Sequence, residues 1–141
     1  SLVMTEIEPG IKRNRLQTVL DGMNVFSFGI SKAPESIKML AEKFKIDLEQ
    51  VDYFLFHQAN LYMNEKITKK LKIPMEKVPY SLKNYGNTSS ATIPLTMVTE
   101  IIHDISSESK SIIACGFGVG LSWGTVQFIT DTLVISEIIE F

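Results

Sequence analysis

With one cysteine in 141 residues, the chain cannot form an internal disulfide, so its stability has to come from a packed core. Histidine is almost as scarce. His57 and His103 lie far from each other and from Cys115, and nothing in their spacing resembles a metal site. An excess of one charge is missing too: 14 Lys and Arg against 16 Asp and Glu leave a net −2, which gives no general attraction to nucleic acid. No apolar run reaches the roughly 18 residues that would span a bilayer, and no signal peptide is expected. The expectation is a cytoplasmic protein with neither nucleic acid nor membrane as a partner. A Ser/His hydrolase would need a G-x-S-x-G elbow, which the sequence does not contain.

What is present is an ordinary globular composition, 45% hydrophobic and 21% charged, of a length that suits one domain. The chain begins with Ser1 rather than methionine, which suggests a piece of something longer. Residues 1–20 mix Pro9-Gly10 with a basic run and read as a linker or extended arm, with a short strand at Leu16 to Leu20. Residues 21–141 read as the domain proper. Ile37, Leu40, Ala41 and Phe44 repeat as one face of a helix, which Pro34 is expected to kink or restart.

The most informative stretch is Tyr53-Phe54-Leu55-Phe56-His57-Gln58-Ala59-Asn60. Its apolar run reads as a buried strand that leads straight into a helix ending near Lys72, which puts His57 at the strand's carboxyl end, where open α/β sheets bind ligands. Val78 to Leu82 reads as the next strand. Asn87 follows it, in Gly86-Asn87-Thr88-Ser89, just before a helix expected over Ser89 to Asp104. Ser111 to Cys115 and Leu121 to Ile129 read as two adjacent strands around the glycine-rich Gly116-Phe117-Gly118-Val119-Gly120. With no helix predicted after these glycines, a phosphate-binding loop is not expected. The order of elements predicts an α/β fold with helices packed on a mixed sheet. Trp123 and the strand phenylalanines are expected in the core, and His103 on the surface.

His57-Gln58-Ala59-Asn60, Gly86-Asn87-Thr88-Ser89 and Gly116 to Gly124 together resemble the C-terminal half of a β-ketoacyl-[acyl-carrier-protein] synthase III, and the resemblance runs from about Asp21 to Ile129, most of the chain. It implies a thiolase-like half and a decarboxylative Claisen condensation of an acyl thioester with malonyl carrier protein, in fatty acid biosynthesis. Related polyketide-forming or hydroxymethylglutaryl-type synthases, or a non-catalytic assembly module, are the alternatives. The resemblance gives His57 and Asn87 the role of stabilising the enolate oxygen, and the backbone N–H of Val119, where the family usually has glycine, a role at a second oxyanion.

Gln58, Asn60, Tyr62, Lys66, Lys69, Lys70 and Phe117 become candidates for substrate or carrier binding, with Tyr62 standing where the family often has arginine. No cofactor is implied: coenzyme A and phosphopantetheine thioesters are substrates. The implied partners are acyl-CoA, an acyl carrier protein, a cysteine-bearing N-terminal half and a second copy in a homodimer. That N-terminal half is needed because Cys115 reads as a buried strand residue, without a following helix to lower its pKa. A thiolase-type role for Cys115 is the competing chemistry, although it falls one residue before the thiolase position and so on the opposite strand face.

Overall fold

A computed structural model describes residues 5–13, 21–131, 133–136 and 138–139. The expected strand at Leu16 to Leu20 lies outside the described residues. Where an irregular arm was expected, β1 (Thr5–Glu8) and β2 (Ile11–Arg13) form an antiparallel hairpin. Its turn uses Pro9-Gly10, with Gly10 at φ +81° and its N–H donating to Glu6 Oε1 at 3.0 Å.

Helix α1 (Gly22–Phe44) is capped by Asp21, whose carboxylate accepts from the Asn24 backbone N–H at 3.0 Å. The helix runs through Pro34 without a second start. After a 3₁₀ turn at Leu48–Gln50, β3 (Tyr53–Phe56) enters the sheet, followed by α2 (Leu61–Leu71), capped by Asn60 and closed by Lys72 in the left-handed region. The expected strand at Val78 to Leu82 is absent. The N–H groups of Lys77 and Val78 instead close a 3₁₀ turn on Pro74 and Met75, and Pro79 has no N–H for a ladder. Leu82 already belongs to a short helix, α3 (Leu82–Tyr85). The helix expected over Ser89 to Asp104 is divided into a 3₁₀ turn at Ser89–Ala91, α4 (Thr92–Glu100) and α5 (Ile102–Ser107), with the break at Ile101 (φ −129°, ψ 7°).

Strands β4 (Ser111–Gly118) and β5 (Ser122–Ile129) complete a three-stranded sheet in the order β3-β4-β5, parallel between β3 and β4 and antiparallel between β4 and β5. A mixed sheet with helices packed on it is what the sequence predicts, although without the strand expected at Val78 to Leu82. Alternate residues divide between two apolar layers, as a period of two requires. Phe54, Phe56, Ile113, Cys115 and Phe117 pack with Ala33, Ile37, Met63 and Ile67 of α1 and α2. Leu55, Ile112 and Ala114 pack on the other face with Ile101 and Ile105. Because both faces are covered, β3 reads as a continuous apolar run rather than an alternating one. Among the described residues no helix is long and apolar enough to cross a membrane.

Candidate active site

The parallel pairing of β3 and β4 brings their carboxyl ends to the same edge of the sheet, and a cleft of about 1010 Å³ opens there. His57 follows β3 directly, and its backbone N–H extends the ladder to the Cys115 carbonyl at 3.0 Å. Asn87 arrives from the loop after α3, and Val119 from the turn between β4 and β5. All three line the cleft, together with Asn60, Phe117, Phe26, Thr92 and Trp123. Two residues 30 positions apart in sequence therefore share one site, as expected, although Asn87 is carried by a loop rather than a strand.

The half-buried His57 ring is fixed from two sides. Its Nδ1 lies 2.8 Å from Thr92 Oγ1, and Phe117 packs edge-on against it with centroids 5.5 Å apart. Burial pulls the His57 pKa below the usual 6.5, which favours the neutral imidazole. Asn87 is held differently: its Oδ1 accepts from the Ser89 backbone N–H at 2.9 Å, so the amide Nδ2 is left to donate. Ser89 thus touches both arms of the site, since its carbonyl also receives the Thr92 backbone N–H. Val119 is 64% exposed at the rim.

The remaining sequence candidates separate. Asn60 lines the cleft, but its Oδ1 is engaged by the Met63 N–H at 2.8 Å as the cap of α2. Gln58, 0% exposed, turns into the interior, where its Nε2 donates to the Phe56 carbonyl at 2.8 Å. It is not among the residues of the cleft. Tyr62 stacks on Phe26, with centroids 5.8 Å apart and planes 9° apart, while Lys66 sits 5.0 Å above the Tyr62 ring. Lys69 is exposed in the last turn of α2. Lys70 is turned towards α1 and donates to the Ile30 carbonyl at 2.9 Å, so the three lysines do not form one free basic face.

Cys115 is 0% exposed on the α1 and α2 side of the sheet, and burial pushes its thiol pKa up to about 11. It does not line the cleft, which weighs against the thiolase-type chemistry. Trp123, expected in the core, is 49% exposed; it lines the cleft and packs edge-on against Phe28 at 5.4 Å. Its strand lies at the sheet's edge, where burial no longer covers both faces. His103 is exposed, as expected. Thr92 was not singled out from the sequence. A hydroxyl just before Ile93-Pro94 on an apolar helix is a weak signal, and only the fold brings it to His57. Among the described residues no cluster of three or more His, Cys, Asp or Glu could hold a metal ion.

Comparison with known proteins identifies the same region. The family described as 3-oxoacyl-[acyl-carrier-protein (ACP)] synthase III C terminal matches residues 41–128. A β-ketoacyl-[acyl-carrier-protein] synthase III of Trichodesmium erythraeum is 41% identical over 109 residues, covering 77% of this chain and 33% of the relative. One from Prochlorococcus marinus is 42% identical over 118 residues, covering 83% and 35%. The crystal structure of a 3-oxoacyl-(acyl-carrier protein) synthase from Burkholderia xenovorans superposes with a TM-score of 0.75 at 37% identity, covering 78% of this chain and 32% of that one. The chain spans about a third of the length of the curated relatives it matches.

Proposed function

Because this chain belongs to the 3-oxoacyl-[acyl-carrier-protein] synthase III family and matches its C-terminal part, we propose that it supplies the enolate-stabilising half of a decarboxylative condensing enzyme of fatty acid biosynthesis. The observation that carries this reading is the convergence of His57 and Asn87 on one cleft, with the Asn87 Oδ1 already engaged and its Nδ2 left as a donor.

The chemistry follows from those donors. In a malonyl thioester the bond to the terminal carboxylate breaks, carbon dioxide leaves, and the electron pair moves onto the thioester carbonyl as an enolate. Two preorganised donors at that oxygen, His57 Nε2–H and Asn87 Nδ2–H, lower the barrier. The enolate carbon then attacks an acyl thioester on a cysteine, whose thiolate is the leaving group. Cys115 is ill suited to that role because it is buried and its thiol is held protonated. The nucleophile is therefore assigned to a cysteine-bearing N-terminal half. Substrates on this reading are acyl-CoA and malonyl thioesters of an acyl carrier protein, with Lys66 and Lys69 meeting the acidic carrier and Phe117 against the bound chain. The assembled enzyme is read as a cytoplasmic homodimer that needs no cofactor.

The test is to combine the chain with a cysteine-bearing N-terminal half and compare His57→Ala and Asn87→Ala with wild type. Each variant should lose about 10²- to 10³-fold in malonyl decarboxylation while acyl loading of the cysteine, followed by protein mass, is retained. Loss of loading with decarboxylation intact would reverse the assignment. Condensation by the 141-residue chain alone would remove the need for a second half.

A further inference from the structure

A donor at the enolate oxygen must carry its hydrogen on the ring nitrogen that faces the cleft, yet a neutral imidazole has only one N–H to place. What decides between the two nitrogens is the group that meets the other one. Here that group is a single hydroxyl. Thr92 Oγ1 lies 2.8 Å from His57 Nδ1, and Thr92 is 1% exposed, so water cannot readily replace it. Among the described residues Nε2 has no protein partner.

The Thr92 hydroxyl has one hydrogen and two acceptors within reach: His57 Nδ1 at 2.8 Å and the Ser89 carbonyl at 3.1 Å. The Ser89 carbonyl already accepts the Thr92 backbone N–H, so it is satisfied without the hydroxyl. Nδ1 has no second partner among the described residues, and an unpaired buried acceptor is costly. The shorter contact is also the one to Nδ1. In the opposite arrangement Nδ1–H would donate to Thr92 and leave a lone pair on Nε2, which would repel an oxyanion in the cleft.

We propose that Thr92 is the positioning residue of His57: its hydroxyl donates to Nδ1, holds the ring against Phe117 and thereby keeps the imidazole hydrogen on Nε2. This rests on the reading of His57 as an oxyanion donor and adds to it the residue that sets the tautomer.

Two-bond ¹⁵N–¹H correlation spectra of the chain, recorded above the His57 titration, report which ring nitrogen is protonated without any reference to activity. Wild type and Thr92→Ser should each show one tautomer, with Nδ1 bare and Nε2 protonated. Thr92→Val, which keeps the branched shape and removes the hydroxyl, should show a mixture. In the assembly with a cysteine-bearing half, Thr92→Val should lose roughly fivefold to tenfold in malonyl decarboxylation, restored by Thr92→Ser. A wild-type imidazole protonated on Nδ1, or a single unchanged tautomer in Thr92→Val, overturns the proposal. Should Thr92→Val fail to fold, the wild-type and Thr92→Ser spectra still decide it. A His57→Ala variant that keeps full decarboxylation would instead sink the oxyanion reading, whatever the tautomer.

Discussion

Lys70 Nζ donates to the Ile30 carbonyl at 2.9 Å, and Ile30 is the residue four positions before Pro34. A helix normally fills that carbonyl with the N–H of residue 34, which proline does not have. The lysine of α2 thus replaces a bond missing from α1 and ties together two helices that lie over the same face of the sheet. Removing it with Lys70→Met should cost about 1 kcal/mol of stability. In a Pro34→Ala background, where the helix can close its own bond, the same substitution should cost less. Equal losses in both backgrounds, measured by denaturant unfolding, would show that the two residues are independent.

Gly29 is the point where α1 packs closely against Met63 of α2 and Phe117 of β4. A Cβ there would lie 2.9 Å from both Met63 Sδ and the Phe117 ring, and Phe117 in turn packs against His57. Gly29→Ala should therefore destabilise the chain by about 1–3 kcal/mol despite improved helix propensity, and should shift the His57 ring resonances. A stability gain with unchanged resonances would mean that the helix yields without disturbing the site.

Burial lowers the His57 pKa below 6.5, so the unfolded chain takes up this proton first as pH falls. Protons bound preferentially by the unfolded state make stability rise with pH, and the stabilising margin is lost as pH drops below the unfolded value towards the lower folded one. The stability difference between wild type and His57→Gln should accordingly move against wild type over a window that starts near pH 6.5 and runs downwards. A constant difference over that window would indicate an imidazole with an ordinary pKa.

Cys115 is buried and its pKa is about 11, so alkylating reagents near pH 8 should modify it only after unfolding. Cys115→Ser in the assembled enzyme should keep most of the condensing activity. Rapid modification of the folded chain, or an inactive Cys115→Ser with an intact fold, would bring the thiolase-type chemistry back.

Tyr62→Arg should strengthen association with an acidic carrier protein at low ionic strength by adding charge beside Lys66 and Lys69, at the expense of the stack on Phe26. The gain should shrink as salt is added. Unchanged or weaker affinity at low salt would reject this face as the docking surface, and Lys70 should contribute little because it is engaged with Ile30.

The amino-acid sequence by itself determined the elements whose signals are local. Tyr53 to Phe56 reads as a buried strand, and the glycine-rich bend joins two strands that pair along their whole length. That His57 and Asn87 face one cleft was legible because their motifs and spacing are specific. What only the tertiary structure decided depends on partners far away in the chain. Val78 to Leu82 has strand-like residues, but the Val78 N–H finds a nearer acceptor in a 3₁₀ turn, Pro79 has no N–H, and Leu82 begins a helix. Gln58 and Lys70 carry polar groups suited to a site, yet one is drawn inward by the Phe56 carbonyl and the other by a carbonyl that a proline left open. Trp123 is apolar enough for a core but lies on a strand whose neighbours leave it facing the cleft. Thr92 meets His57 only because α4 packs beside the carboxyl end of β3. A hydrogen bond is made to whichever partner the packed chain brings within about 3 Å, and sequence separation carries no record of that distance.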